Sequence, residues 1–315
     1  MRVLITGGTG FIGSHLAEGF VRHGYDVSVF DRCPQVHEFA ATYLPGDVLD
    51  ASAVDAAVRG HDFVVHAGGI LGTHETIAAP QETSSINIIG SLNVLDAVRK
   101  YGSGLVNISK PNVWLNPYSI TKDCIEKFCF MYVNEFDMPI AVVKLFNVYG
   151  PRQKYSAVQK AIPAWIVSAL CERPLEIYGR GTSTMDLVYI DDVNSAVLDI
   201  VSNFDRCRLK KTDAIAQNVW GNFHFFNEQI LEIGSGVEIT VNAAVNELER
   251  ALGMPVERRH LPMRRGEIEG TRLRADTRRL AALTGFEPRV TLQDGLNRTV
   301  AYYKARVQLV EEGVL

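Results

Sequence analysis

The chain of 315 residues predicts an α/β fold: a doubly wound parallel sheet followed by a smaller C-terminal α/β domain. Three observations predict it. Strand-like apolar runs alternate with helical patterns through the first 150 residues. Glycines stand at a GxxGxxG spacing on the first strand-to-helix junction. An acid closes the second strand.

The first junction reads MRVLITGGTGFIG, with an apolar strand over 3–6 and an amphipathic helix over 14–23. Gly7 permits a tight turn there. Gly10 lets backbone approach a phosphate with no Cβ in the way, and Gly13 lets helix and strand pack closely. The N–H groups around Phe11 and Ile12 open the helix and carry a partial positive charge, so a dinucleotide pyrophosphate fits. This makes the sheet Rossmann-type.

Residues 25–30 (YDVSVF) alternate and form the second strand, which Asp31 ends, eighteen residues beyond Gly13. A carboxylate at that place meets the adenosine ribose hydroxyls and repels a 2′-phosphate, so NAD is favoured over NADP. Arg32 tempers this, because a guanidinium pairs with such a phosphate. A short strand near 41–44 leads to the turn Gly46-Asp47, and Asp47 and Val48 are candidates to contact the adenine. Further strands are expected at 63–67, 105–109 and 140–146, and helices at 51–58, 86–100 and 121–136.

Past Pro151, glycine and proline punctuation is denser and the elements shorten. Residues 1–150 are therefore expected to bind the dinucleotide and 151–315 mainly the substrate. Segments near 185–204 and 225–235 return to the first domain, and strands at 187–190 and 229–233 are expected to reach the sheet or its edge. Residues 205–224 lack periodicity and read as a long loop, serving as a lid, a binding surface or an oligomer contact.

Composition excludes several classes. With 47% hydrophobic and 22% charged residues the chain is expected to be an ordinary globular protein with ample core. A formal charge of −4 argues against nucleic acid or an anionic membrane as partner. No apolar run approaches a transmembrane length, and a strand starting at residue 2 leaves no room for a signal peptide. Five cysteines without a CxxC pair fit a reduced, cytoplasmic protein. Of these, Cys124 and Cys129 read as small hydrophobes on a helix. His15, His66 and His74 lack metal-ligand spacing, so no metal is expected. Asp191-Asp192 reads as helix capping. The basic stretch 258–279 reads as a phosphate clamp or a solvated face.

Tyr118 and Lys122 form a Tyr-x-x-x-Lys pair after the fifth strand. Spacing i, i+4 puts both on one helical face. An ammonium near a phenol favours the phenolate, which takes a proton from a substrate hydroxyl as hydride leaves the carbon.

The motifs then run in family order along nearly the whole chain: TGGTGFIGSH (6–15), GDVLD (46–50), HAGG (66–69), NIIGSLNVLDA (87–97), YSITK (118–122), LFNVYGPRQ (145–153), LEIYGRGTSTMDLVYIDDV (175–193), LEIGSG (231–236) and RRGEIEGTRLRAD (264–276). The chain resembles an extended short-chain dehydrogenase/reductase of the NAD-dependent nucleotide-sugar epimerase/dehydratase group. The resemblance implies Tyr118 as acid/base and Lys122 as holder of the nicotinamide ribose. It places Ala67, Gly68, Gly69 and Asn87 along the cofactor. It assigns Asn147, Tyr178 and Arg264 to the substrate, with Arg180, Arg265 and Arg272 as further candidate phosphate ligands. A homodimer packed through the helices at 86–100 and 121–136 is also implied.

Three departures stand out. Relatives carry a serine or threonine hydroxyl at the end of the fifth strand. Here the register puts Lys110 there, with Ser109 one residue before as the alternative. The stretch 111–117 is short against the family pattern, so the wall around the sugar is wider or filled from elsewhere, by Trp114 or by 205–224. Met185 stands where relatives often have a phosphate-pairing arginine. The dehydratases' Asp-Glu pair is replaced by Lys110-Pro111, which disfavours that reaction.

The resulting expectation is a 4-epimerase-like enzyme acting through a transient keto-sugar. Dehydratase, decarboxylase and keto-sugar reductase are alternatives on the same scaffold. An NAD-binding regulatory subunit with little catalysis is the alternative of another class.

Overall fold

The structure, a computed structural model, describes residues 1–111, 113–155, 158–211 and 227–306. The elements follow in chain order as β1 (Arg2–Thr6), α1 (Phe11–Arg22), β2 (Asp26–Asp31), β3 (Thr42–Pro45), α2 (Ala51–Val58), β4 (Phe63–His66), α3 (Pro80–Ser84) and α4 (Gly90–Tyr101). Next come β5 (Gly104–Ser109), α5 (Pro117–Phe136), β6 (Ile140–Leu145), β7 (Asn147–Tyr149), α6 (Ala161–Leu170), β8 (Leu175–Tyr178), β9 (Thr184–Met185) and β10 (Leu187–Tyr189). The last are α7 (Ile190–Ser202), α8 (Phe204–Cys207), β11 (Leu231–Ile233), β12 (Ile239–Thr240), α9 (Val241–Leu252), β13 (Arg258–Leu261), α10 (Arg278–Thr284) and α11 (Leu292–Lys304).

Seven strands form one sheet in the order β11-β6-β5-β4-β1-β2-β3. Every neighbouring pair is parallel. The chain moves outward from β1 to β3, then crosses back to β4 on the other side. A ligand crevice lies at the carboxyl ends of the strands where the order reverses, between β1 and β4. Because helices cover both faces, the strands are apolar on both. Val3 and Ile5 enter one core layer, and Leu4 between them enters the other.

Two sequence expectations for the second half resolve differently. Leu231–Ile233 joins the main sheet beside β6. Leu187–Tyr189 pairs only with β7, outside the seven-stranded sheet, although α7 after it packs on α1. There Gly19 comes so close to Asn194 that a Cβ would lie 2.5 Å from its Oδ1. Two further strand pairs, β8 with β13 and β9 with β12, build the smaller C-terminal part.

The helix expected at 121–136 begins earlier, at Pro117. Asn116 caps it by accepting the Ser119 N–H, and Pro117 occupies the first turn, where a missing N–H costs nothing. Asp192 does not cap its own helix. Its carboxylate accepts the Arg289 and Val290 N–H groups at 2.9 and 3.0 Å, tying α7 to the turn before α11. Of the segment 205–224, residues 205–207 close α8 and Leu209 N–H bonds Ile140 O; residues 212–224 lie outside the described residues.

Gly13 packs against the Gly7 carbonyl, and a Cβ there would overlap it. Gly13→Ala should cost about 1–3 kcal/mol of stability through overpacking. Denaturant unfolding of the variant measures it, and an unchanged midpoint contradicts the packing described.

Candidate active site

The turn after β1 is shaped by backbone contacts that exclude side chains. Gly7 adopts φ +69°, and a Cβ there would lie 2.7 Å from the Gly68 Cα and N. Gly10 N–H donates to Gly7 O, and Gly10 caps α1 with extended backbone. No side chain caps α1 and no acid lies in its first turn. The N–H groups around Phe11 and Ile12 are therefore left to an anion. Asp31 projects over this turn and accepts the Thr9 N–H at 3.2 Å and the Cys33 N–H at 3.0 Å. Arg32 beside it is exposed. The Val48 side chain packs on Gly90, and Asp47 accepts the Leu49 N–H. A backbone cradle, an uncapped helix terminus and a carboxylate at the end of β2 together fit a dinucleotide.

The far end of the crevice is formed by β4, β5 and α5. Gly68 N–H donates to Thr6 Oγ, which also bonds His66 Nδ1 at 2.6 Å. His66 Nε2 bonds Ser91 Oγ at 2.8 Å. Asn87, 2% exposed, accepts the Ile70 N–H and donates to the Ile70 carbonyl and to Thr121 Oγ. The loop Ala67–Gly68–Gly69–Ile70 is thus fastened to the start of α5. Lys122 Nζ donates to Ile108 O at 3.0 Å and lies 3.9 Å from where a Gly69 Cβ would stand. The Tyr-x-x-x-Lys pair is therefore at the carboxyl ends of β4 and β5, beside the dinucleotide cradle.

The electrostatics of the pair differ from the expectation. Burial pushes the Tyr118 phenol up to about 12 and the Lys122 ammonium down to about 8. Lys122 bonds the Ile108 carbonyl and is not the group set against the ring. That group is Lys110, whose Nζ stands 5.1 Å from the Tyr118 ring centroid and donates to Ser119 Oγ at 2.8 Å. Burial, and then the nearby Lys160, push Lys110 down to about 7.

Ser109, the alternative hydroxyl, is engaged elsewhere. Its Oγ donates to the buried Glu126 at 2.5 Å, and Glu126 pairs with Lys144 at 3.1 Å. Strand alternation turns Ser109 away from Lys110 and into this polar cluster. Glu126 was legible, since it stands four residues after Lys122 on the same helix. Lys160 carried no motif.

The smaller part closes over the mouth. Trp114 Nε1 donates to Thr271 Oγ at 2.9 Å, and a Cβ on Gly266 would lie 2.8 Å from Ile77 and 3.6 Å from Asn116. The short stretch 111–117 is thus backed by segment 264–271; Asn112 lies outside the described residues. Arg264 stacks over the Tyr178 ring at 4.8 Å and bonds Glu267, while its Nε is buried without a partner. Asn147 accepts the Asp186 N–H. The Arg180 side chain is 81% exposed, and its N–H and Nε both bond Glu269. Arg272, also exposed, is held by both oxygens of Glu238, and Arg265 is exposed.

The chain is similar to known proteins along nearly its whole length. The family model described as the NAD dependent epimerase/dehydratase family matches residues 3–212. The chain belongs to that family. NAD is accordingly its cofactor, and the chain is an extended short-chain dehydrogenase/reductase. It is 28% identical to a UDP-N-acetyl-alpha-D-glucosaminuronate decarboxylase of Bacillus cytotoxicus, covering 96% of this chain and 98% of that one. It is 31% identical to a dTDP-glucose 4,6-dehydratase of Mycobacterium tuberculosis over 69% of this chain and 72% of that one. Among solved structures, a UDP-glucose 4-epimerase from Thermotoga maritima with UDP-glucose superposes with a TM-score of 0.85 at 25% identity, covering 98% of this chain and all of that one. A UDP-glucuronic acid 4-epimerase from Bacillus cereus with UDP-glucuronic acid and NAD gives 0.81 at 25% identity, covering 97% and 100%. In this family member no helix among the described residues is long and apolar enough to cross a membrane, and no described cluster of His, Cys, Asp or Glu could hold a metal.

Two histidines carry a pH signature. Burial lowers His66 to about 3 and His15 to about 4. Both are neutral when folded and protonate when unfolded below about pH 6.5, so their stability is present above that pH and lost as pH falls. Each should cost about 2 kcal/mol between pH 7 and 5. Asp191, Asp199 and Glu232 are pushed up by burial and titrate with the opposite sign. Denaturant midpoints of the parent and of His66→Gln between pH 7 and 5 isolate the His66 share. Parallel profiles would contradict it.

Proposed function

We propose that this cleft binds a nucleotide-linked sugar and epimerises it, most simply at C4, with Tyr118 as the acid/base. The placement of Lys122 between the Ile108 carbonyl and Gly69 supports this best, because it sets Tyr118 at the nicotinamide end of the dinucleotide cradle. NAD bound there supplies a reversible hydride acceptor. The uncapped start of α1 and Gly7, Gly10 and Gly13 hold its pyrophosphate, with Asp31 on the ribose hydroxyls and Asp47 and Val48 toward the adenine. Lys122 holds the nicotinamide ribose.

Tyr118 takes the proton of the ring hydroxyl at its Oη and returns it to the same oxygen once the sugar has presented its other face. A phenol held near 12 without ligands is a poor base at neutral pH. A positive charge on Lys110 over its ring or on Lys122 one turn along favours the phenolate. Arg264, with its unpartnered Nε, and Asn147 and Tyr178 meet the nucleotide end. Trp114 and segment 264–271 exclude water from the sugar. Loss of the dehydratase acid pair to Lys110 and Pro111 argues against elimination, which needs a paired acid and base.

The same placement supports a division into a dinucleotide part (1–150, with returning segments near 185–204 and 225–235) and a substrate part (mainly 151–315). A homodimer is supported by the exposed Ile89, Ile120, Met131 and Phe136 on the α4–α5 surface. A cytoplasmic location is supported by five free cysteines.

Purified protein should carry NAD and convert a UDP-sugar to its C4 epimer, followed by NMR. Tyr118→Phe should lower kcat by about 10²–10⁴ with NAD still bound. Unchanged turnover in that variant removes the acid/base role. Normal NAD binding with no turnover of any sugar nucleotide favours the regulatory reading.

A further inference from the structure

Lys110 is set at the sugar end of the cleft, over the Tyr118 ring, and its one hydrogen-bond acceptor among the described residues is Ser119 Oγ. Lys160 acts on it electrostatically and is itself half-buried, with no hydrogen-bond or ion-pair partner among the described residues. The acids nearby favour their charge through space but are each engaged elsewhere. Glu267 is taken by Arg264, Glu75 lies against His74, and Glu126 is taken by Ser109 and Lys144. Burial disfavours the charge on both ammonium groups, and a carboxylate on the ligand would restore it. A neutral hexose offers only hydroxyls at this end, and the diphosphate belongs at the Arg264 end.

Resting on the nucleotide-sugar reading, we propose that the sugar carries a carboxylate, a hexuronate, and that Lys110, backed by Lys160, is the residue that selects it. Lys110 donates to the carboxylate while Tyr118 works on the neighbouring hydroxyl. Gripping the carboxylate with an ammonium stabilises the charge that loss of CO₂ would remove. The pair therefore favours epimerisation with the carboxylate retained, and no bond to that carbon breaks.

The test uses Tyr118→Phe protein loaded with NAD, so that binding is read without turnover. Calorimetry with UDP, UDP-glucose and UDP-glucuronate should give at least about tenfold tighter binding of the glucuronate than of the glucose conjugate. Adding Lys110→Thr, which restores a hydroxyl, should abolish that preference while UDP binds unchanged. Lys110→Met serves as a second variant, and thermal unfolding with bound NAD verifies that both fold. Equal affinity for the two sugars, or equal weakening of all three ligands by Lys110→Thr, overturns the proposal and leaves the nucleotide-sugar reading standing. Failure of UDP and of dTDP to bind removes both; if dTDP alone binds, its glucose and glucuronate conjugates replace the UDP ones. Release of CO₂ from UDP-glucuronate by the parent enzyme also overturns it.

Discussion

Three backbone segments meet at Gly7, Gly13 and Gly68, and the rest of the cleft is built outward from that contact. A Cβ on any of them would strike a neighbouring backbone or hydroxyl at or inside ordinary contact distance. Only because they are bare can the start of α1, the end of β1 and the loop after β4 share one point. The open N-terminus of α1 then faces the crevice with its partial charge, and the Gly68–Gly69 loop runs beside it. Fixing that loop falls to Asn87, whose amide reaches both Ile70 and Thr121. The dinucleotide cradle and the helix bearing Tyr118 and Lys122 are thereby one rigid unit.

The charges of the cleft follow from burial on this scaffold. Lys122 loses water, and neither the Ile108 carbonyl nor the charge of Glu126 offsets that loss, so its ammonium weakens. Tyr118, desolvated without an anion-stabilising bond, resists ionisation. Lys110 sets an amine rather than a neutral hydroxyl over the Tyr118 ring.

The second half of the chain wraps back over this unit by a few buried polar ties. Asp186, wholly buried, accepts the N–H groups of Ser235, Gly236 and Ala275 and so gathers three loops at the end of the sheet. Its own N–H bonds Asn147. Trp114 crossing to Thr271 closes the mouth where the stretch before α5 is short.

Much of this was legible in the sequence, because it depends on neighbours along the chain. Apolar runs gave β1, β4, β5 and β6, and an alternating one gave β2. The glycine spacing and Asp31 gave the cradle, and the i, i+4 spacing gave the shared face of Tyr118 and Lys122. The Asn116-Pro117 cap was also present in the sequence, though the helix was expected to start later. What the chain could not declare locally was decided by tertiary packing. Strand alternation spends Ser109 on Glu126 and leaves Lys110 to the cleft. Lys160, fifty residues on, arrives beside Lys110 only when the smaller part folds back. Arg180 was drawn outward by Glu269. Desolvation, which reverses the expected shift of Tyr118, exists only once those surfaces have closed around it.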